Sequence, residues 1–208
     1  RYQSQSKAQH TFAITGSDPS PQAVKAAQKL GAIDSSDRKP SKAVANADLV
    51  IVKCPPGRLA DSYAQFGPAL KPGAVVLDLS DLKEPVIALA RKHFPANERG
   101  ASLAYIVGVT PIVSASGLYA GETGPEAASA DLFDGTECLV MPDTQCPSEA
   151  IRLAEDVIRL TGGVPRFMDP AEHDALTAAT EQLPALLGAA LFYALQQSEG
   201  WPDLRRMV

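Results

Sequence analysis

The chain has no CxxC pair, no basic stripe and only three histidines, and each shortage removes a class of function. Its three cysteines, Cys54, Cys138 and Cys146, are odd in number and far apart in 208 residues. That argues against a disulfide framework or a zinc site and agrees with a reducing, cytoplasmic setting. No metal ligands are predicted. Nineteen Lys and Arg against 24 Asp and Glu leave a net charge of −5, with no cluster that would neutralise a run of phosphates, so nucleic acid is not an expected partner. Ala101 to Gly121 carries no charge, yet Gly108, Pro111, Ser114, Ser116 and Gly117 interrupt it where a spanning helix would be more uniformly apolar. It reads as a buried strand running into a loop, and no membrane partner is expected. Signal-peptide, repeat and low-complexity patterns are also missing. The first residue is Arg1 rather than methionine, as expected of a processed or truncated start.

What is present centres on Asp48 to Pro56, DLVIVKCPP. Four consecutive apolar residues, Leu49 to Val52, read as a short strand buried on both faces of a parallel sheet. Pro55 and Pro56 end it, because proline lacks the amide that a central strand donates. Ligands of open α/β sheets bind beyond strand C-termini, so Lys53 to Gly57 should border a site.

Before this strand, Thr11 to Thr15 predicts a strand, Gly16 to Pro19 a turn, and Pro21 to Leu30 a helix closed by Gly31. Ser17 and Asp18 lie in that turn. An acid closing such a strand can accept hydrogen bonds from an adenosine ribose, or simply cap its own turn. The glycine-rich loop GxGxxG that accompanies such an acid should precede Asp18 on a first strand and helix. Residues 1 to 10 are too few and too polar to supply it, so the first βα unit is expected to be missing from the chain.

After it, Arg58 to Leu70 predicts a helix and Ala74 to Leu79 a buried strand. The strand ends in DLSDLK, Asp78 to Lys83. Ser80 or Asp81 can contact cofactor or substrate there, or N-cap the helix Glu84 to Phe94. Leu103 to Val109 is the next strand, ending at Thr110-Pro111, and the small-residue loop Ile112 to Thr123 follows. A helix over Ala127 to Phe133, a strand over Glu137 to Met141, a helix over Pro147 to Thr161 and a strand over Val164 to Met168 complete an α/β unit, residues 1–168. The remainder, 169–208, predicts one helix from Asp169-Pro170 to about Ser198, kinked at Pro184. Its face of Leu183, Leu186, Leu187, Leu191 and Leu195 needs a covering partner.

Several of these runs together resemble the prephenate dehydrogenase family, which includes arogenate dehydrogenases. The likeness is carried by GPEAASADLF (124–133), MDPAEHD (168–174), the Leu183-Pro184 pair, and the DLVIVKCPP and DLSDLK strand ends. It implies a Rossmann-like, doubly wound, mostly parallel sheet followed by the start of a helical domain that dimerises. It also implies oxidative decarboxylation of prephenate or an arogenate-like acid in tyrosine biosynthesis, with hydride passed to NAD or NADP. Asp18 and Ser17 would then hold the cofactor with Cys54, Pro55, Pro56 and Ser80, and an acid at Asp18 leans toward NAD because it repels a 2′-phosphate.

The departures fall in the pocket. Family members usually have a histidine before the proline that is Pro111 here, accepting a hydrogen bond from the substrate hydroxyl; this chain has Thr110. Asp81 replaces a serine, and Gln182 and Ala185 replace histidines flanking Leu183-Pro184. Asp81, Thr110 and Gln182 are therefore the catalytic candidates, with Asp81 a substitute base if burial raises its pKa. His173, in the EHD run, is assigned to packing or capping, with a role in the site as the alternative. A non-catalytic relative that binds nucleotide or a partner is the competing expectation, because a threonine hydroxyl cannot act as an imidazole does.

Overall fold

The computed structural model describes residues 11–113, 128–129 and 131–206. Most of the Ile112 to Thr123 loop and half of the GPEAASADLF run therefore fall outside the described residues. In chain order the first strands are β1 (Thr15–Gly16) and β2 (Ser35–Ser36), which pair in parallel with each other. They are followed by β3 (Leu49–Val52), β4 (Val75–Asp78), β5 (Tyr105–Pro111), β6 (Glu137–Pro142) and β7 (Val164–Phe167). These five form one sheet in sequence order. All neighbours are parallel except β5 and β6, whose antiparallel register sets Thr110 opposite Leu139.

Helices cover both faces of this sheet, and strand alternation sorts the core between them. Val76 and Ile106 pack with Tyr63 and Phe66 of α3 (Leu59–Phe66) and Val86 of α4 (Glu84–His93). Here Tyr63 meets Phe66 and Phe94 with ring centroids 4.8 Å and 6.0 Å apart. Val75, Leu77, Val107 and Val109 face the opposite way, onto Ala150, Ala154 and Ile158 of α5 (Ser148–Leu160). Two earlier helices, α1 (Pro21–Lys29) and α2 (Pro40–Val44), precede β3. Gly31 closes α1 with φ +68°, the left-handed conformation a C-terminal glycine supplies.

Four expectations need correction. The strand before Gly16 is shorter than Thr11 to Thr15: β1 is two residues long and pairs with a β2 that the polar Ser35-Ser36 gave no sign of. Strand β3 is not buried on both faces, since Ile51 is 61% exposed. It ends the five-stranded sheet, and the face Ile51 looks onto is covered by α5 only nearer the middle. The helix foreseen over Arg58 to Leu70 holds α-geometry only for Leu59–Phe66, with tight turns at Pro56–Arg58 and Gly67–Ala69, because Pro68 cannot donate the next helical bond. Over Ala127 to Phe133, the described residues from 131 to 135 form turns rather than helix.

The C-terminal stretch contains α6 (Pro170–Thr177), a wide π-type turn over Ala178–Gln182, α7 (Leu183–Gln196) and α8 (Trp201–Leu204). The irregularity foreseen at Pro184 thus sits in the turn just before it, where the missing proline amide and the bulk of its ring are absorbed. On α7, Leu186, Leu187 and Leu191 are each at least 60% exposed. By length and composition alone, the 27-residue run Pro170–Gln196 is apolar enough to cross a bilayer, a test that helices of soluble proteins also pass.

The end of the core nearest the strand C-termini is tightly filled around Gly108. A Cβ added there would lie 2.9 Å from the Lys83 side chain and 3.4 Å from Met141. Gly108→Ala is predicted to destabilise the protein by about 1–3 kcal/mol, an overpacking cost, measured as a lowered midpoint in urea with an unchanged slope.

Candidate functional site

The parallel strands β3, β4 and β5 all end on one edge, and the residues following them are joined there by hydrogen bonds. Asp78, the last residue of β4, is fully buried. Its carboxylate accepts from the Tyr63 hydroxyl at 2.7 Å, from the Ser80 backbone N–H at 2.7 Å and from the Ser80 hydroxyl at 3.2 Å. Burial, and then the Asp78 charge, push the Tyr63 phenol far above its ordinary pKa, so it stays a donor. The Ser80 hydroxyl in turn accepts from the Cys54 backbone N–H at 3.1 Å, which ties the end of β3 to the end of β4.

Lys83 locks the next junction. Its ammonium is completely buried and donates to three carbonyl oxygens: Asp78 at 3.1 Å, Ser80 at 2.5 Å and Val109 at 3.1 Å. Burial lowers its pKa to about 8; the Asp78 charge opposes that shift and Lys53 adds to it. Thr110 follows Val109 directly, so this lysine also fixes the end of β5.

From α6, His173 and Asp174 reach the same edge. Thr110 Oγ1 lies 3.0 Å from His173 Nε2, and His173 Nδ1 lies 2.9 Å from Asp174 Oδ1. The Asp174 carboxylate also accepts the backbone N–H groups of Lys83, at 2.8 Å, and Glu84, at 2.9 Å, so it caps α4 from 90 residues away. That overturns the capping alternative for Ser80 and Asp81. Ser80 is buried in the Asp78 network, and Asp81 is ion-paired with Lys53.

The candidates named from sequence divide accordingly. Cys54, Ser80 and Thr110 meet at the strand ends, with Pro55 and Pro56 leading from β3 into the turn Pro56–Arg58. Asp81 stands beside them with a side chain 51% exposed, lacking the burial that the substitute-base role supposes. Ser17 and Asp18 are exposed after β1, where Asp18 Oδ1 accepts the Ser20 N–H at 2.7 Å and closes its own turn. Gln182 is exposed in the wide turn before α7. Sequence reasoning passed over Tyr63 and Asp174, and it read Lys83 as able to face cofactor or substrate, whereas the ammonium is buried on backbone carbonyls. The EHD run was the available signal for the Asp174 and His173 pair, whereas nothing marks Lys83 as buried. Among the described residues, no group of three His, Cys, Asp or Glu side chains is placed to hold a metal.

Because one carboxylate both caps α4 and anchors His173, Asp174→Ala is predicted to cost about 2–4 kcal/mol, the sum of a lost cap and an unsatisfied buried imidazole. Asp81→Asn should cost under about 0.5 kcal/mol, as an exposed ion pair does. Chemical denaturation of both variants checks the contrast, and equal losses would refute the cap.

Comparison with known proteins supplies the family. The family model described as prephenate dehydrogenase, nucleotide-binding domain, matches residues 4–166. A cyclohexadienyl dehydrogenase of Zymomonas mobilis is 28% identical over 149 residues, covering 72% of this chain and 47% of that protein. A probable prephenate dehydrogenase of Streptomyces niveus is 28% identical over 172 residues, covering 81% of this chain and 42% of that protein. The chain thus spans about half the length of the curated relatives it matches. Its fold is shared with the crystal structure of Aquifex aeolicus prephenate dehydrogenase in complex with hydroxyphenyl propionate and NAD+, at a TM-score of 0.72 and 22% identity over 95% of this chain and 69% of that one. The match over residues 4–166 takes in the ends of β3, β4 and β5, and by it the chain belongs to the prephenate dehydrogenase nucleotide-binding domain family.

Proposed function

We propose that this protein is an NAD-dependent dehydrogenase of the prephenate or arogenate type, catalysing the oxidative decarboxylation that leads to tyrosine. The observation that carries the proposal is the meeting of Cys54, Ser80 and Thr110 at the carboxyl ends of three parallel strands in a chain of this family. Strand C-termini are where open α/β sheets bind ligands.

The donor set present fits the ribose and the nicotinamide side of a dinucleotide, while the glycine-rich loop for its pyrophosphate is not among these residues. Asp18 offers an exposed carboxylate at the end of β1, suited to accept from ribose hydroxyls, with Ser17 next to it. Its charge disfavours a 2′-phosphate, which makes NAD the assignment and NADP the alternative. Cys54, Pro55 and Pro56 give a compact, largely apolar flank for the cofactor, held by Ser80 through the Cys54 amide. A dinucleotide held by these residues would supply the hydride acceptor for the carbon bearing the substrate hydroxyl. The ring carboxylate then leaves as carbon dioxide, and its bonding electrons make the ring aromatic. Thr110 is assigned to the substrate hydroxyl, and Asp81 and Gln182 to polar contacts around the substrate. Residues 169–208, with the exposed leucines of α7, are assigned to a helical substrate and dimerisation domain, and the working form to a homodimer.

Calorimetric titration with NAD+ and NADP+, alongside NADH formation with prephenate and with arogenate, tests the proposal. NAD+ should bind more tightly than NADP+. Asp18→Asn should weaken NAD+ on the order of tenfold, the loss of charge-assisted hydrogen bonds, and narrow the preference. Unchanged NAD+ affinity in Asp18→Asn would remove the ribose role, and no turnover of either acid by the unaltered protein would remove the activity.

A further inference from the structure

Resting on that dehydrogenase reading, we propose that Asp174, His173 and Thr110 form a proton relay that delivers an imidazole base to the substrate hydroxyl through the threonine oxygen. Thr110 at the end of β5 has no base of its own, since a hydroxyl does not ionise near neutrality. The structure places His173 Nε2 3.0 Å from that hydroxyl.

The hydrogen-bond polarity follows from Asp174. Its carboxylate already accepts the Lys83 and Glu84 amides, and an ionised carboxylate has no proton to give. His173 Nδ1, 2.9 Å away, is therefore the donor of that pair. In the neutral imidazole this leaves Nε2 bare, so Thr110 Oγ1 donates to it. Hydroxyl to imidazole to carboxylate is the arrangement that lets a buried imidazole draw a proton through an oxygen. Burial adds direction: His173 is 4% exposed while Thr110 is half-buried, so the threonine oxygen is the open end of the chain of bonds. The charged group bonded to the imidazole is Asp174 on its own helix, and from α4 it is the backbone N–H groups of Lys83 and Glu84 that meet that carboxylate. From β5 it meets the uncharged Thr110 hydroxyl.

Protons and electrons balance over the cycle. As the hydride leaves the substrate carbon, its hydroxyl proton moves to Thr110 Oγ1 and the threonine proton moves to His173 Nε2. Loss of carbon dioxide then leaves the electron pair in the ring as a phenolate. The imidazolium returns its proton through Thr110 to the phenolate oxygen, and the relay is restored without net proton release. His173 and Asp174 are positioning residues here, and Thr110 is the group that touches substrate.

Two measurements on the protein test this. The first is the pH profile of kcat/KM for NADH formation in the unaltered protein, His173→Gln, Thr110→Val and Thr110→Ser. The unaltered protein should lose rate on the acid side of one ionisation, as protonation of the base blocks proton uptake. His173→Gln and Thr110→Val should fall about 10²–10⁴-fold and lose that limb, as removal of a general base does, while Thr110→Ser retains both. The KM for NAD+ should not move. A His173→Gln profile that keeps the acid limb, or equal rates for Thr110→Val and Thr110→Ser, overturns the relay. The second is the nitrogen NMR spectrum of the His173 ring, which should show Nδ1 protonated and Nε2 bare at neutral pH. The opposite tautomer overturns the relay even where turnover is normal. An unaltered protein that turns over neither acid, with the expected tautomer in place, refutes the dehydrogenase reading and the catalytic use of the relay with it.

Discussion

One buried ammonium holds the working edge of this sheet together. Taking a lysine out of water is costly, and Lys83 tolerates it because three carbonyl dipoles and the nearby Asp78 charge replace its hydration. Those carbonyls belong to the end of β4, the turn after it and the end of β5. The lysine therefore fixes the separation of two strands at the point where a ligand would be met. Ser80 is held by the same turn and passes the constraint to Cys54, just past the end of β3. Gly108 is the condition for all of it, since the lysine stem passes where any larger side chain would project.

Parts of this arrangement were legible in the sequence and parts were not, for physical reasons. The strands at Leu49, Val75 and Tyr105 announce themselves as unbroken apolar runs ended by proline or polar residues, although β3, at the end of the sheet, leaves Ile51 exposed. The short β1 and β2 do not, because two-residue pairings rest on backbone bonds and carry little side-chain signal. Placing Cys54 and Ser80 together on one edge of the sheet needed only the rule that parallel strand ends gather there. The burial of Lys83 is invisible from composition: its sequence neighbours Asp81 and Glu84 are exposed, and the three carbonyls that hold it come from backbone that any residue would supply. The cap on α4 was misplaced for a related reason. Ser and Asp are good caps wherever they stand nearby, and no local rule points to an Asp174 lying 90 residues downstream.

Asp174 is where stability and chemistry become the same problem. Its carboxylate fixes the first turn of α4, which follows Lys83, and also the ring of His173, which meets Thr110. The imidazole is thus oriented by the interaction that docks α6 against the sheet. A histidine placed on the strand itself would keep its geometry whether or not the helical segment were seated. Here the imidazole arrives from α6, so its contact with Thr110, and with it the proposed relay, depends on α6 being docked with Asp174 capping α4. The exposed leucines of α7 continue from that same segment through the wide turn before Pro184. On the proposed reading, a partner seated on these leucines would bear on the seating of α6, and through Asp174 on the hydroxyl of Thr110.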